Sequence, residues 1–486
     1  MPPHTLISAI TLLGAASPLL AQGADYNGDG FADLAAGAPG ELLFSDPGSG
    51  AVITMFGSPA GLQGGQLDFP GQFPLVSAGA IVQGEEFGKV LASGDYNGDG
   101  FDDLAVGVET SQSGVFEEGN LYLFEGSPTG LENDAVFGAF GLGTLGAPDP
   151  QRRLGSSLAS GDINDDGFDD LVVGERTPDD SGRIHVHLGS VFGIQLNPTQ
   201  TFEQGGPGFT QLLDEAGDQF GFSMTIGDFD GDGFGDLALS RPGEDPVGTP
   251  LTDSGAVDVI FGNSTGLDIT RTQCFDQDTT GISGFAESGD RFGSVLISGD
   301  LNGDGRDELI IGTPNEAIGS ATDSGVVQVL LGASGGLTTI GQMFIEPLDF
   351  GATSMPGEKF GASIRLVDLF DDGSPELVIG SPGFAGDAGA VWFMVNIAGT
   401  LIPVAAPFTG TGLFADHEYG LALSSGDIDG NGAGDLAIGI PGALFGNDEG
   451  VIQIISLTLN QFIIQGLPGV TDAVMLEAGD RFGAAF

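Results

Sequence analysis

Basic residues are scarce in this 486-residue chain. Twelve Lys and Arg face 68 Asp and Glu, for a formal net charge of −56. A surface this negative repels phosphate, which excludes nucleic-acid binding through a basic patch and opposes docking on anionic lipid. Cysteine is nearly absent. Cys274 alone cannot form an internal disulfide, and with only four His no Cys/His zinc spacing exists. No run beyond the N-terminus reaches membrane-spanning length without charges or glycines, so membrane insertion is not expected. Disorder is excluded by the opposite abundance: 40% hydrophobic residues, including 35 Phe, suffice for a large core.

Residues Leu6 to Leu20 are apolar or small, and a polar chain begins at Gln22. The length suits a signal-peptide core rather than a membrane span. Residues 1–21 are therefore expected to be an export signal, and 22–486 one secreted domain, extracellular, at the cell surface or in a periplasm. The alternative for the first segment is a buried first strand.

An aspartate-rich nonapeptide recurs seven times, at intervals of 59 to 72 residues: DYNGDGFAD from Asp25, DYNGDGFDD from Asp95, DINDDGFDD from Asp162, DFDGDGFGD from Asp228, DLNGDGRDE from Asp300, DLFDDGSPE from Asp368 and DIDGNGAGD from Asp427. The last six follow an aromatic-Gly or Leu-Gly pair by eight residues: Phe87-Gly88, Leu154-Gly155, Phe220-Gly221, Phe292-Gly293, Phe360-Gly361 and Tyr419-Gly420. Each nonapeptide runs into a short apolar strand that ends at a Gly/Pro turn, and a third strand follows an acidic loop, as in SGAVDVIFG from Ser254. A weaker fourth strand closes each unit. Several strands, such as Val326–Leu331, are apolar on both faces and need neighbours above and below. Four-stranded blades arranged radially supply them, so the fold class is all-β, a seven-bladed β-propeller of antiparallel blades. The first unit lacks its leading strand, and the chain ends in Gly479–Phe486, which resembles Gly289–Leu296. Pairing of the two terminal segments within one blade is expected to close the ring without an exposed edge.

The aromatic-Gly pair, the aspartate loop and the following Gly-x-Pro turn together resemble FG-GAP repeats, as found in the N-terminal propeller of integrin alpha subunits and in many secreted bacterial proteins. The resemblance covers essentially residues 22–486. It implies a seven-bladed propeller with calcium loops joining the first and second strands, on the face opposite the ligand-binding face. This chain departs in keeping Gly-Ala-Pro as written only at Gly37-Ala38-Pro39, and in Leu154 and Tyr419 replacing Phe.

Calcium takes six to eight hard oxygen ligands at flexible angles, which suits these loops better than magnesium's strict octahedron. Positions 1, 3, 5 and 9 offer side-chain oxygens, position 7 its backbone carbonyl, and Gly at position 6 lets the loop wrap. About six sites follow. They are Asp25, Asn27, Asp29, Phe31 and Asp33; Asp95, Asn97, Asp99, Phe101 and Asp103; Asp162, Asn164, Asp166, Phe168 and Asp170; Asp228, Asp230, Asp232, Phe234 and Asp236; Asp300, Asn302, Asp304, Arg306 and Glu308; and Asp427, Asp429, Asn431, Ala433 and Asp435. The loop at Asp368 is degenerate, with Phe370 at position 3 and Pro375 at position 8. Metal-free Asx-turns are the alternative reading of the other six. Six divalent ions would offset 12 of the negative charges, and the remaining acidic, Lys-poor surface suits a saline setting.

No catalytic constellation stands out. His185 and His187 share a strand face, but read as ordinary third-strand positions. Cys274 reads as a buried thiol, Trp392 as core, and Arg152-Arg153 as local salt-bridging. The expected function is therefore non-enzymatic: binding of an extracellular protein or glycan, by a monomer, through loops such as Glu41–Gly48, Glu109–Glu118, Gly243–Asp253 and Thr313–Asp323. The alternatives are an enzyme acting on polysaccharide or phosphoester, or a structural matrix component.

Overall fold

The structure is a computed structural model. It describes residues 23–39, 50–68, 86–109, 112–113, 116–117, 119–138, 153–177, 179–195, 197–206, 215–246, 250–409, 417–441, 451–456 and 460–464. The proposed signal segment and the expected closing segment Gly479–Phe486 lie outside these residues.

Among the described residues, seven antiparallel sheets follow one another along the chain, each with its strands in sequence order, besides a two-stranded hairpin of Gln112–Ser113 and Phe116–Glu117. Sheet 1 holds Leu34–Ala38, Ala51–Phe56 and Gln63–Asp68. Sheet 2 holds Val90–Gly94, Asp103–Val108, Asn120–Glu125 and Glu132–Gly138. Sheet 3 begins at Arg153–Gly161, Asp170–Arg176 and Arg183–His187 and ends at Gln200–Glu203. Sheet 4 contains Met224–Gly227, Asp236–Arg241, Ala256–Asn263 and Gly266–Phe275. Sheet 5 contains Val295–Gly299, Glu308–Thr313, Val326–Leu331 and Thr338–Ile345. Sheet 6 contains Ser363–Val367, Glu376–Ser381, Ala390–Ile397 and Thr400–Pro403. Sheet 7 contains Leu423–Gly426, Asp435–Ile440, Val451–Ile455 and Asn460–Ile464.

The second and third strands are apolar on both faces because each sheet is sandwiched between two others. Phe87 and Leu91 of sheet 2 pack on Ala35 and Val52 of sheet 1. Equivalent clusters join each later pair, such as Phe292 and Leu296 against Val257 and Val259, or Phe360 and Trp392 with Val295 and Ile310. The last cluster joins Ala437, Ile452 and Ile454 of sheet 7 to Ala36, Ile53 and Met55 of sheet 1. The packing is thus cyclic, and the architecture is a β-propeller.

Seven complete blades were expected; six four-stranded blades are seen among the described residues, and sheet 1 has three strands. The first unit has no aromatic-Gly strand ahead of its loop. Only Ala24 marks that place, its carbonyl accepting the Asp33 N–H at 2.6 Å.

The aromatic-Gly pair proves to be an inter-sheet joint. Phe220, Phe292 and Phe360 donate their backbone N–H to the carbonyls of Ser181, Ser254 and Ser324 at 2.7 to 2.9 Å. Those serines precede Gly182, Gly255 and Gly325, where the aromatic residue's own backbone leaves no room for a Cβ. Trp392 sits fully buried among Phe350, Phe360 and Phe384, confirming its core reading.

Candidate metal centres

In every sheet the aspartate nonapeptide forms the turn between the first strand, or its stub at Ala24, and the second, so all seven turns lie on one face. Position 1 organises each turn. Asp25 accepts the Asp29 and Gly30 N–H groups at 3.1 and 2.8 Å, and Asp228 accepts those of Gly231, Asp232 and Gly233 at 2.7 to 3.1 Å. Position 5 then accepts the N–H of position 7, as from Phe31 to Asp29 at 3.0 Å. Glycine is required at position 6, where φ is 85° at Gly30 and 91° at Gly233.

Position 9 is buried and accepts from two directions. Asp103 takes the Tyr96 N–H at 3.2 Å and the Gly126 N–H, just past the third strand, at 2.9 Å. Asp33, Asp170 and Asp236 repeat the pattern. This acid therefore ties the turn to the sheet, a role the spacing did not reveal. Burial raises its pKa most, with crowding by neighbouring carboxylates adding and the backbone N–H donors opposing. Asp33 and Asp170 rise to about 7, Asp103 and Asp236 to about 8, and Glu308 to about 7.

Two loops bring three carboxylates within 4.8 Å of one another among the described residues: Asp228, Asp230 and Asp232, and Asp427, Asp429 and Asp435. Four other loops, from Asp25, Asp95, Asp162 and Asp300, carry Asn at position 3. There, Asn164 Oδ1 is buried with no hydrogen-bond partner among the described residues. An oxygen-only donor set with an orphaned buried acceptor fits a hard cation. The degenerate loop keeps the same backbone turn, since Asp368 accepts from Asp372 and Gly373 at 3.1 and 2.8 Å despite Phe370.

Position 8 was overlooked by the sequence reading. Asp102, Asp169 and Asp307 accept the position-1 N–H of the preceding loop, from Asp25, Asp95 and Asp228, at 2.7 to 3.0 Å. The position-7 side chain also reaches backwards: Phe101 covers Gly28, Phe168 covers Gly98, and Phe31 covers Gly430 across the junction of sheets 7 and 1. The signal was present in the extra acid of GFDD and GRDE, but the partner is one repeat away.

Arginine intrudes on the sheet-4 loop. Arg271, from the fourth strand, donates to Asp230 at 2.5 Å, stands 3.5 Å from Asp232, and lies over the Phe261 ring at 4.6 Å. Most other cations lie elsewhere. Of the ten described Lys and Arg, seven (Lys89, Arg153, Arg176, Arg183, Arg241, Arg291 and Lys359) sit at or beside strand ends away from the loops, Arg271 and Arg306 touch loops, and Arg365 is in mid-strand.

The candidate catalytic residues form no site. Buried His185 bonds Glu175 at 2.7 Å and Thr201 at 3.0 Å. Burial drives the His187 pKa down to about 4, holding it neutral against the Gln195 carbonyl. Cys274 was expected to be buried, but the residue is exposed at the sheet's outer strand; its thiol lies 3.6 Å from Arg241, and local desolvation pushes its pKa well up.

Fold and loops together define a propeller assembled from repeats that each carry an aspartate turn. The FG-GAP repeat model matches residues 20–55, 87–124, 154–187, 220–260 and 292–330, so the chain carries FG-GAP repeats and resembles integrin alpha subunits. Integrin alpha-PS5 of Drosophila melanogaster is 36% identical over 162 residues, covering 32% of this chain and 15% of that protein. Phosphatidylinositol-glycan-specific phospholipase D of Homo sapiens is 29% identical over 343 residues, covering 64% of this chain and 37% of that enzyme. The chain thus spans well under half the length of the curated relatives it matches.

Proposed function

We propose that this protein is a secreted, calcium-stabilised propeller that binds an extracellular protein or glycan on the face opposite its aspartate loops. The observation that carries the metal reading is the oxygen-only turn repeated around the ring, together with the buried, unpartnered Asn164 oxygen at position 3 of one such turn. Calcium would be held by positions 1, 3 and 5, with position 9 beneath, and would supply charge neutralisation where carboxylates crowd. Asp427, Asp429 and Asp435 form a cluster that includes the position-9 acid. The ring is taken to close as seven blades, the terminal segments completing sheet 1.

Binding rather than catalysis is favoured because the acids that share a pocket with Arg365 and Ser93, namely Asp33, Asp102 and Asp169, are already engaged by backbone N–H groups of the turns. The similarity to phospholipase D keeps a second reading in view, a phosphoester-acting enzyme, since that relative's name is an enzyme's. A glycan and matrix-protein array probed with the chain from Gln22 onward, in calcium and in EDTA, tests the proposal. A specific signal lost in EDTA is expected. Turnover of a phosphoester, with no array signal from folded protein, would reverse it.

A further inference from the structure

Where sheets 5, 6 and 7 meet, on the face away from the aspartate loops, a cleft of about 400 Å3 opens. Its size is that of a small-ligand site. Pro314, Pro382 and Leu421 give it apolar surface. Sheets 5 and 6 contribute Arg291, Asn315 and Lys359, and the junction of sheets 6 and 7 contributes Asp387 and Glu418. Two cations at one cleft are notable in a chain with only twelve.

Both cations are held in place. Arg291 occupies left-handed backbone at φ 57°, its N–H donating to the Asp253 carbonyl at 3.1 Å. Its guanidinium donates to Gln219 and lies 5.8 Å from the Phe222 ring centroid. Lys359 has φ 58°, and its N–H donates to the Asp323 carbonyl at 3.1 Å. Its Nζ donates to Asn315 Oδ1 at 2.9 Å and stands 4.0 Å from Asp323. A guanidinium has five N–H donors and an ammonium three, so each retains donors beyond these contacts. The turn does not dictate a basic side chain, because Glu86, Gln219 and Glu418 occupy equivalent positions, also at positive φ. Burial depresses the Arg291 pKa, with Asp253 and Asp180 offsetting it only in part, and an anion bound beside it would act in the same direction as those carboxylates.

The chemistry is asymmetric. The Arg291–Lys359 side suits one anionic group, whereas Asp387 and Glu418 repel a second and accept hydroxyl hydrogens. The apolar surface suits the C–H face of a sugar ring. We propose that this cleft binds an anionic sugar, a uronic-acid unit of an extracellular polysaccharide, with its carboxylate on Arg291 and Lys359 and its hydroxyls on Asn315, Asp387 and Glu418. This rests on the reading of the protein as a glycan binder and names the ligand class.

Isothermal titration with oligogalacturonate and with neutral cello-oligosaccharide of equal length, at fixed calcium, tests it. Oligogalacturonate is expected to bind and the neutral sugar not. The double variant Arg291→Gln/Lys359→Gln, with an unchanged melting temperature, is expected to weaken binding at least tenfold, and Lys359→Arg to retain it. Equal binding of both sugars would overturn the proposal. So would uronate binding that survives the double variant but vanishes in EDTA, because calcium would then bridge the carboxylates. Absence of uronate binding, beside array signals from other ligands, would defeat the cleft assignment alone; silence towards every ligand class would defeat the binding function itself.

Discussion

The metal-free protein should lose stability as pH rises, and the ninth-position acids set the window. Asp103 has an ordinary carboxyl pKa near 3.8 when exposed, raised to about 8 in the fold chiefly by burial. A folded pKa above the unfolded one means the folded state holds the proton more tightly. The stabilisation is complete below about pH 4 and is lost as pH climbs through the folded value. Within that window one such group contributes a slope of about −1.4 kcal/mol per pH unit. Calcium requires the deprotonated carboxylate, so saturating metal should flatten or reverse the trend. Thermal melts in EDTA and in calcium, from pH 4.5 to 8, measure both slopes. General self-repulsion of a −56 chain has the same sign, so the deciding comparison is Asp103→Asn in EDTA. That variant should lose about one proton's worth of slope, whatever its offset at acid pH. An unaltered slope would refute the assignment of a buried, proton-holding acid at this position.

Asp169→Ala removes the acceptor for the Asp95 N–H across the junction of sheets 2 and 3, and should cost about 1–3 kcal/mol in urea denaturation. Arg271→Gln frees Asp230 and Asp232, and is expected to tighten terbium or calcium binding at the sheet-4 loop, read by luminescence titration. Phe360→Ala opens a cavity beside Trp392 and should destabilise by about 3–5 kcal/mol, with a red shift in the fluorescence of this single tryptophan. Transfer to low salt at fixed calcium should lower the melting temperature if screening offsets the acidic surface; equal melts would count against a saline adaptation.

The repeats were legible because each carries local chemistry: the turn acids, the glycine at positive φ, the apolar second strand. Phe87 and its equivalents were visible as a pattern, but their partners Gly182, Gly255 and Gly325 belong to the preceding sheet, and no local period links them. The same distance hid Asp102, Asp169 and Asp307, whose acceptors serve a loop some 70 residues upstream. Position 9 was identified as an oxygen donor, yet its two N–H partners come from the turn and from beyond the third strand, a join only the sheet makes. The cleft cations were invisible for another reason. Arg291 and Lys359 lie in different repeats, and nothing in either repeat announces that they border one space.

The backward reach of position 7 gives the loop face a direction. Phe31, Phe101 and Phe168 each cover the glycine of the loop before, as roof tiles overlap, so an ordered turn steadies its predecessor and not its successor. The overlap is uneven. Arg306 covers Gly231, whereas Gly303 meets no neighbour, and Ser374 and Ala433 are too short to act as tiles. Sheets 5 to 7 therefore lack this overlap and rely on other ties, Asn396 Nδ2 donating to the Leu301 carbonyl at 2.6 Å and the Gly434 N–H to that of Asp368 at 2.7 Å. The cleft bordered by Arg291 and Lys359 spans the same three sheets on the opposite face. A ligand clasped across that cleft would act as the missing tile, bracing these sheets from the side away from the turns.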